Sequence, residues 1–217
     1  MRVFILMLLA ITAILCGQIP VPIVCNVGIT GPTQIASDNF NSYSNGDLTT
    51  VSGGKWTAGS GNFDVLSHQV QSNYTSTFTN LARWTGAGSF NDNQYSRLTI
   101  IAFSGSWQSM GPAVRVNSGL STGYVTYWTG TNTVGLGKLV SGSWTTLNDT
   151  CGTVVVNDVI ELDVTGSSTS VLTVKKNGAT LCTYSDSSSP ITTGTPGLFG
   201  NGVLGLTGDN WVGGNTA

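Results

Sequence analysis

The chain has 217 residues, of which 40% are hydrophobic and only 8% charged, with 29 glycines and a formal net charge of -2. An average globular domain carries about 25% charged residues, so Ser, Thr, Asn and Gly must build this surface. The chain has no Lys/Arg cluster and so lacks the electrostatic footprint of a nucleic-acid binder, while 6 Trp, 6 Tyr and 7 Phe among regular β-branched runs exclude disorder.

At the amino terminus Arg2 precedes an apolar run from Val3 to Leu15, closed by Cys16 and Gly17. This reads as a secretory signal peptide over residues 1–17, because the run is shorter than the roughly 17 to 25 residues that a membrane span needs. The expected location is therefore extracellular or at a cell surface, without a membrane anchor. Leu15 before Cys16 also departs from the small residue that a lipidated Cys requires. A leader punctuated by Pro20, Pro22, Gly31 and Pro32 fills 18–34, and the folded domain is expected over 35–217.

Signal removal leaves Cys25, Cys151 and Cys182 in an oxidising compartment. Cys151 and Cys182 flank a run of strands and are the expected disulfide, worth roughly 3 to 4 kcal/mol from loop-closure entropy. Two sequons, Asn73-Tyr74-Thr75 and Asn148-Asp149-Thr150, would accept sugar in a eukaryotic host.

Beyond the leader, short strands are broken by Gly, Asn and Ser at intervals of about 8 to 12 residues, and no stretch has a helical period. The clearest run over Ser96–Phe103, Ala113–Asn117, Tyr124–Thr129, Val159–Val164, Val171–Lys175 and Leu181–Tyr184. Asn177-Gly178 joins two of them as a two-residue hairpin, with Ser141-Gly142 and Gly166-Ser167 similar. Such a series, all antiparallel and without helices, must close on itself or stack as two sheets.

Successive side chains in a strand point to opposite faces. Ile160, Leu162 and Val164, Leu172 and Val174, and Val114 and Val116 are thereby assigned to the core. Glu161 and Asp163, Thr173 and Lys175, and Ala113, Arg115 and Asn117 are assigned outward. Tyr124, Thr126 and Trp128 share one face of their strand and Val125 and Tyr127 the other, but alternation does not say which is exposed.

The order Gly111-Pro112-Ala113-Val114-Arg115-Val116, Gly123-Tyr124-Val125, Leu136-Gly137-Lys138-Leu139 and Gly142-Ser143-Trp144-Thr145-Thr146-Leu147 resembles the concanavalin A-like lectin/glucanase superfamily. Val156-Asn157-Asp158-Val159-Ile160-Glu161-Leu162, Leu172 to Gly178 and Gly194-Thr195-Pro196-Gly197-Leu198 continue the likeness, which covers roughly Asp38 to Trp211. The resemblance implies an all-β, two-sheet antiparallel jelly roll whose concave sheet carries the ligand groove in many members. Its signatures are strand-and-turn patterns and speak to fold more than to activity.

Glu161-Leu162-Asp163-Val164 is similar to the start of the catalytic strand of laminarinase-type glucanases, where a second Glu follows on the same face. Here Thr165 and Gly166 stand in its place. Retaining hydrolysis needs carboxyl groups about 5 to 5.5 Å apart, and Glu161 and Asp163 lie about 7 Å apart along a strand. They are weak catalytic candidates, with two solvated acids as the alternative. His68 is the single histidine, has no nucleophile elbow beside it, and reads as a surface or loop residue.

Related glucanases bind a structural calcium through a carboxylate near the carboxyl end, which the resemblance carries onto Asp209. The tripeptides Asp38-Asn39-Phe40 and Asp209-Asn210-Trp211 lie where the superfamily pairs its terminal strands. Turn capping by these Asp residues is the competing reading. For ligand binding, a sugar's apolar face stacks on aromatic rings while its hydroxyls seek planar polar groups. The aromatic candidates are Trp84, Trp107, Tyr124, Trp128 and Trp144, and the expected platform is Arg115, Tyr124, Trp128, Glu161 and Asp163 on one face. A secreted module that binds a polysaccharide or glycan is the leading expectation. A glycoside hydrolase of the same fold and a structural or receptor-contacting surface or virion protein are the alternatives.

Overall fold

A computed structural model describes residues 31–59, 62–73, 80–102, 109–129, 132–201 and 206–217. The expected signal peptide, Cys25 and Trp107 lie outside the described residues. One sheet has nine strands, in the order β14 (Ala179–Asp186), β13 (Ser170–Lys176), β12 (Val159–Thr165), β7 (Gln94–Ala102), β16 (Thr207–Asn215), β5 (Gln69–Ser72), β4 (Phe63–Leu66) and β2 (Gly46–Asp47), with β1 (Thr33–Asp38) also paired to β16. The other has seven: β11 (Ser143–Thr153), β10 (Thr133–Val140), β9 (Gly123–Thr129), β8 (Ser109–Val116), β15 (Thr195–Asn201), β6 (Asn80–Trp84) and β3 (Trp56–Ala58). The strand pairs are antiparallel, as short connections between neighbouring strands require. The molecule is the expected two-sheet jelly-roll sandwich.

Two of the three expected hairpins have the expected turn chemistry, whereas Gly166-Ser167 lies in a longer loop, because β12 ends at Thr165 and β13 begins at Ser170 with Thr165 paired to Val171. Asn177 (φ 51°) and Gly178 (φ 84°) join Lys176 to Ala179, and Ser141 (φ 52°) and Gly142 (φ 81°) join Val140 to Ser143. Both central residues sit in the left-handed region that matches the twist of the flanking strands. Against the expectation of no helix, the structure has the one-turn helix α1 (Leu48–Val51), too short to show a period, whose first turn is capped by Asp47 accepting the Thr50 N–H at 3.0 Å.

Ile160, Leu162, Val164, Leu172 and Val174 are buried between the sheets, as parity predicts. Trp56, Trp84 and Trp211 fill the same core, with Trp56 and Trp211 centroids 4.6 Å apart and Trp84 stacked on Trp211 at 5.3 Å. At about 25 cal/mol per Å2, each such ring system contributes on the order of 4 to 6 kcal/mol of burial before the entropy of fixing it is subtracted. A second cluster lies on the other face of the seven-stranded sheet: Leu81, Ala113, Val116, Val125, Tyr127, Leu139 and Phe199, with Leu120 and Trp144 at its margin. Both faces of that sheet are therefore apolar.

Parity fails at one strand. Val116 was assigned to the core beside Val114 but packs in the outer cluster, because Thr195 pairs with Val116 and Gly197 with Ala113, so two residues of β8 oppose one of β15. Arg115 is the extra residue of this bulge, at φ 52°, and its side chain is turned into the sandwich and fully buried instead of facing outward.

Cys151 and Cys182 form the expected disulfide, with Cα atoms 5.0 Å apart. It joins β11 to β14, the edge strands on one side of the two sheets, and so closes that side of the sandwich. No helix among the described residues is long and apolar enough to cross a membrane.

Candidate functional site

The five residues expected to form one ligand platform are split between two places. Tyr124 and Trp128 point into the core, 0% and 3% exposed, so neither offers a ring to a ligand. Arg115 is buried as well. Its Nε and Nη2 donate to the Asp92 carbonyl at 2.9 and 2.8 Å, Nη2 also to the Gly166 carbonyl at 2.6 Å, and Nη1 to Ser170 Oγ at 2.7 Å and the Ile191 carbonyl at 2.5 Å. The Tyr124 hydroxyl donates to Asp186 Oδ2 at 2.6 Å and accepts the Ile191 N–H at 2.9 Å. These two residues hold the sandwich together.

Glu161 and Asp163 do face outward, on the nine-stranded sheet. Cross-strand register sets two rows beside them. Lys175, Glu161, Arg97, Val212 and Ser37 run across β13, β12, β7, β16 and β1, and next to them Thr173, Asp163, Tyr95, Gly214 and Gln34 follow the same path. Arg97 and Tyr95 thus occupy the positions beside the two acids that the sequence assigned to Arg115 and Tyr124. Their signal was present, since Tyr95, Arg97 and Thr99 alternate with Ser96, Leu98 and Ile100, and the latter three are all buried. Tyr95 packs against Gly214, where any Cβ would run into its ring and into the Thr33 carbonyl.

Lys175 Nζ bridges the acids, donating to Glu161 Oε1 at 2.9 Å and pairing with Asp163 Oδ2. Burial works against its ammonium, but the bonds to Asp163 and Glu161 outweigh burial and hold the Lys175 pKa above the ordinary range. Asp163 is 8% exposed, and its Oδ1 has no hydrogen-bond partner. Burial, opposed by Lys175 and reinforced by the nearby Glu161 charge, pushes its carboxyl up to about 6. A raised carboxyl pKa means that the folded state takes up a proton that the unfolded chain releases. The stability this brings is complete below the unfolded value near 3.9 and is lost as pH rises through about 6. Asp163→Asn is accordingly expected to gain stability relative to the parent as pH rises from 4 to 7, by at most about 1.4 kcal/mol per pH unit, in urea titrations at each pH. A constant difference would refute this assignment.

The first row runs into an open cavity of about 450 Å3, whose lining includes Val212 and Ser37 together with Gln34, Asn39, Ser42, Lys55 and Asn210. Amides, hydroxyls and one ammonium thus converge beside a charged strip. Asp38 lines the cavity too, but its carboxylate is occupied: Oδ1 accepts the Phe40 N–H at 2.9 Å, and Oδ2 accepts the Tyr43 hydroxyl at 2.5 Å and Trp56 Nε1 at 2.9 Å.

Asp38 pairs with Trp211, so the terminal strands do meet as the resemblance implies. Asp209 Oδ1 accepts the neighbouring Asn210 N–H at 2.6 Å at the bulge of β16, whereas the turn-capping contact is made by Asp38, which accepts the Phe40 N–H two residues on. Burial, together with the Asp38 charge, raises the Asp209 pKa. Among the described residues no group of three His, Cys, Asp or Glu side chains is placed to hold a metal ion. His68 is exposed at φ 64° in the turn between β4 and β5.

The fold is a two-sheet antiparallel jelly-roll sandwich. No protein-family model matches the chain, and no curated protein matches it. Among solved structures, xylan β-1,4-xylosidase from Bacillus halodurans C-125 superposes with a TM-score of 0.53 at 12% identity, over 84% of this chain and 40% of that one. The GH43 protein BlXynB from Bacillus licheniformis gives 0.53 at 10% identity, over 83% and 39%. The carbohydrate-binding module CBM66 from Bacillus subtilis gives 0.49 at 16% identity, over 75% and 93%. The chain thus spans about two fifths of the first two, and at these identities the likeness is one of fold.

Proposed function

We propose that the chain is a secreted carbohydrate-binding module that holds a saccharide against the outer face of the nine-stranded sheet without cleaving it. The observation that carries this reading is the Lys175–Glu161–Arg97 row, which leads into the cavity lined by Gln34, Asn39, Ser42 and Asn210. Planar charged groups and amides match the paired donors and acceptors of sugar hydroxyls. Binding without cleavage follows from Lys175, whose ammonium sits between the two acids where a scissile bond would have to lie. The next outward position on β12 after Asp163 is Thr165, so the strand offers no further carboxylate. Extracellular placement rests on the apolar leader and the disulfide.

Affinity electrophoresis through gels containing xylan, β-glucan, pectin or alginate tests the reading. Retention is expected on at least one of them, falling at least about tenfold in Arg97→Ala and in Glu161→Gln, with no reducing ends released. Absence of retention across the panel overturns it. Reducing-sugar release abolished by Glu161→Gln would replace the module with a hydrolase.

A further inference from the structure

Four described tryptophans, Trp56, Trp84, Trp128 and Trp211, are buried, whereas Trp144 is only partly buried. It stands on β11 at the margin of the outer cluster of the seven-stranded sheet, the sheet opposite the charged row. Four contacts fix its indole. One side lies on Gly137 of β10, where any Cβ would penetrate the ring. The Tyr127 ring meets it edge-on at 4.9 Å, and Phe199 lies at 5.7 Å with a 31° tilt. Its Nε1 donates to Thr146 Oγ1 at 3.1 Å, and Thr146 is itself exposed. Nearby, the exposed Asp149 accepts the Tyr127 hydroxyl. An aromatic ring immobilised before a ligand arrives loses little entropy on binding.

We infer that Trp144 is a second saccharide contact, a stacking platform for the apolar face of a pyranose ring, with the Thr146 hydroxyl and the Asp149 carboxylate at its rim. The ring side lying on Gly137 is spent on the protein, and the exposed part of the indole is what a sugar would cover. The platform rests on the reading of the chain as a saccharide binder, but it lies on the other sheet and is separable from Arg97 and Glu161. A neutral pyranose fits better than a charged ring, because the one carboxylate placed there already accepts the Tyr127 hydroxyl.

Titration with cellohexaose, laminarihexaose and xylohexaose, followed by tryptophan emission, tests this. At least one is expected to shift the emission, and to protect Trp144 from oxidation by N-bromosuccinimide in the unmodified protein, as read by peptide mass. Trp144→Leu should abolish the shift and weaken binding about tenfold, and Trp144→Phe should keep most of the affinity. Arg97→Ala should leave the protection of Trp144 in place. Retention on a polysaccharide with neither emission shift nor protection overturns the platform and leaves the wider reading standing. Absence of retention, shift and protection together overturns both. The oxidation assay decides the matter even if Trp144→Leu fails to fold.

Discussion

Lys138→Met is expected to cost about 3 to 5 kcal/mol of folding stability, among the largest effects of any single substitution in this chain. Lys138 on β10 is turned inward, in register with Tyr124, and its ammonium is 2.6 Å from Asp186 Oδ2. Nζ also donates to the Ser188 carbonyl at 2.8 Å and the Ser189 carbonyl at 2.7 Å. Removing the ammonium leaves a buried carboxylate with only the Tyr124 hydroxyl and the Ser188 N–H as donors. Most of the loss comes from that stranded charge, so Lys138→Met combined with Asp186→Asn should recover part of it. The acid response follows. Burial raises the Asp186 pKa, but the bonds from Lys138 and Tyr124 outweigh burial and leave it below the ordinary value. In the parent, its contribution is present above the unfolded value near 3.9 and is lost as pH falls through the lower folded value. Without Lys138 burial prevails and the sign reverses, so the cost of Lys138→Met should be greatest near neutral pH and shrink as pH falls. Equilibrium urea titrations from pH 3 to 7 check both statements, and a cost under about 1 kcal/mol at pH 7, or one that grows on acidification, would contradict them.

Arg115→Leu is the second large effect, at about 3 kcal/mol or more. The guanidinium makes five hydrogen bonds to carbonyls and a hydroxyl of four residues in three separate segments. A buried acceptor left without a donor costs roughly 1 to 3 kcal/mol, and Leu strands several at once. Arg115→Lys should fall between the two, since one ammonium cannot reach all the acceptors that the planar fork serves. The left-handed backbone at Arg115 adds strain that either replacement inherits. Thermal and denaturant unfolding of the three proteins gives the ranking, and equal stability of Arg115→Leu and the parent would remove Arg115 as the fastening point.

These two residues also show where the sequence stopped being readable. On β12 and β13 one face is apolar and the other polar, so alternation gave the faces of Ile160, Glu161, Leu162, Asp163 and Lys175 correctly. On β8 the bulge falls at an arginine and not at the glycine or asparagine that usually marks a positive φ, and nothing in Val114-Arg115-Val116 announces it. On β9 the faces could not be told apart because both are buried, one in the core with Tyr124 and Trp128, the other with Val125 and Tyr127. A sheet that is apolar on both sides carries no polar phase to read. The neighbourhood of Glu161 and Asp163 needed a register between strands distant in sequence, which pairs Arg97 with Glu161 and Tyr95 with Asp163. Local pattern holds no such information, so the acids were legible and their neighbours were assigned to the wrong strands.

The meeting of β1 and β16 bears on how this domain is carried. Thr33 and Asn215 are register partners, so the polypeptide enters and leaves the sandwich at one spot. A unit with adjoining entrance and exit can be spliced into a loop of a host protein, or hung from a single stalk, without disturbing its layers. Tension between those two points would load the β1–β16 ladder from its end and peel it rung by rung, sparing the covalent seam between β11 and β14.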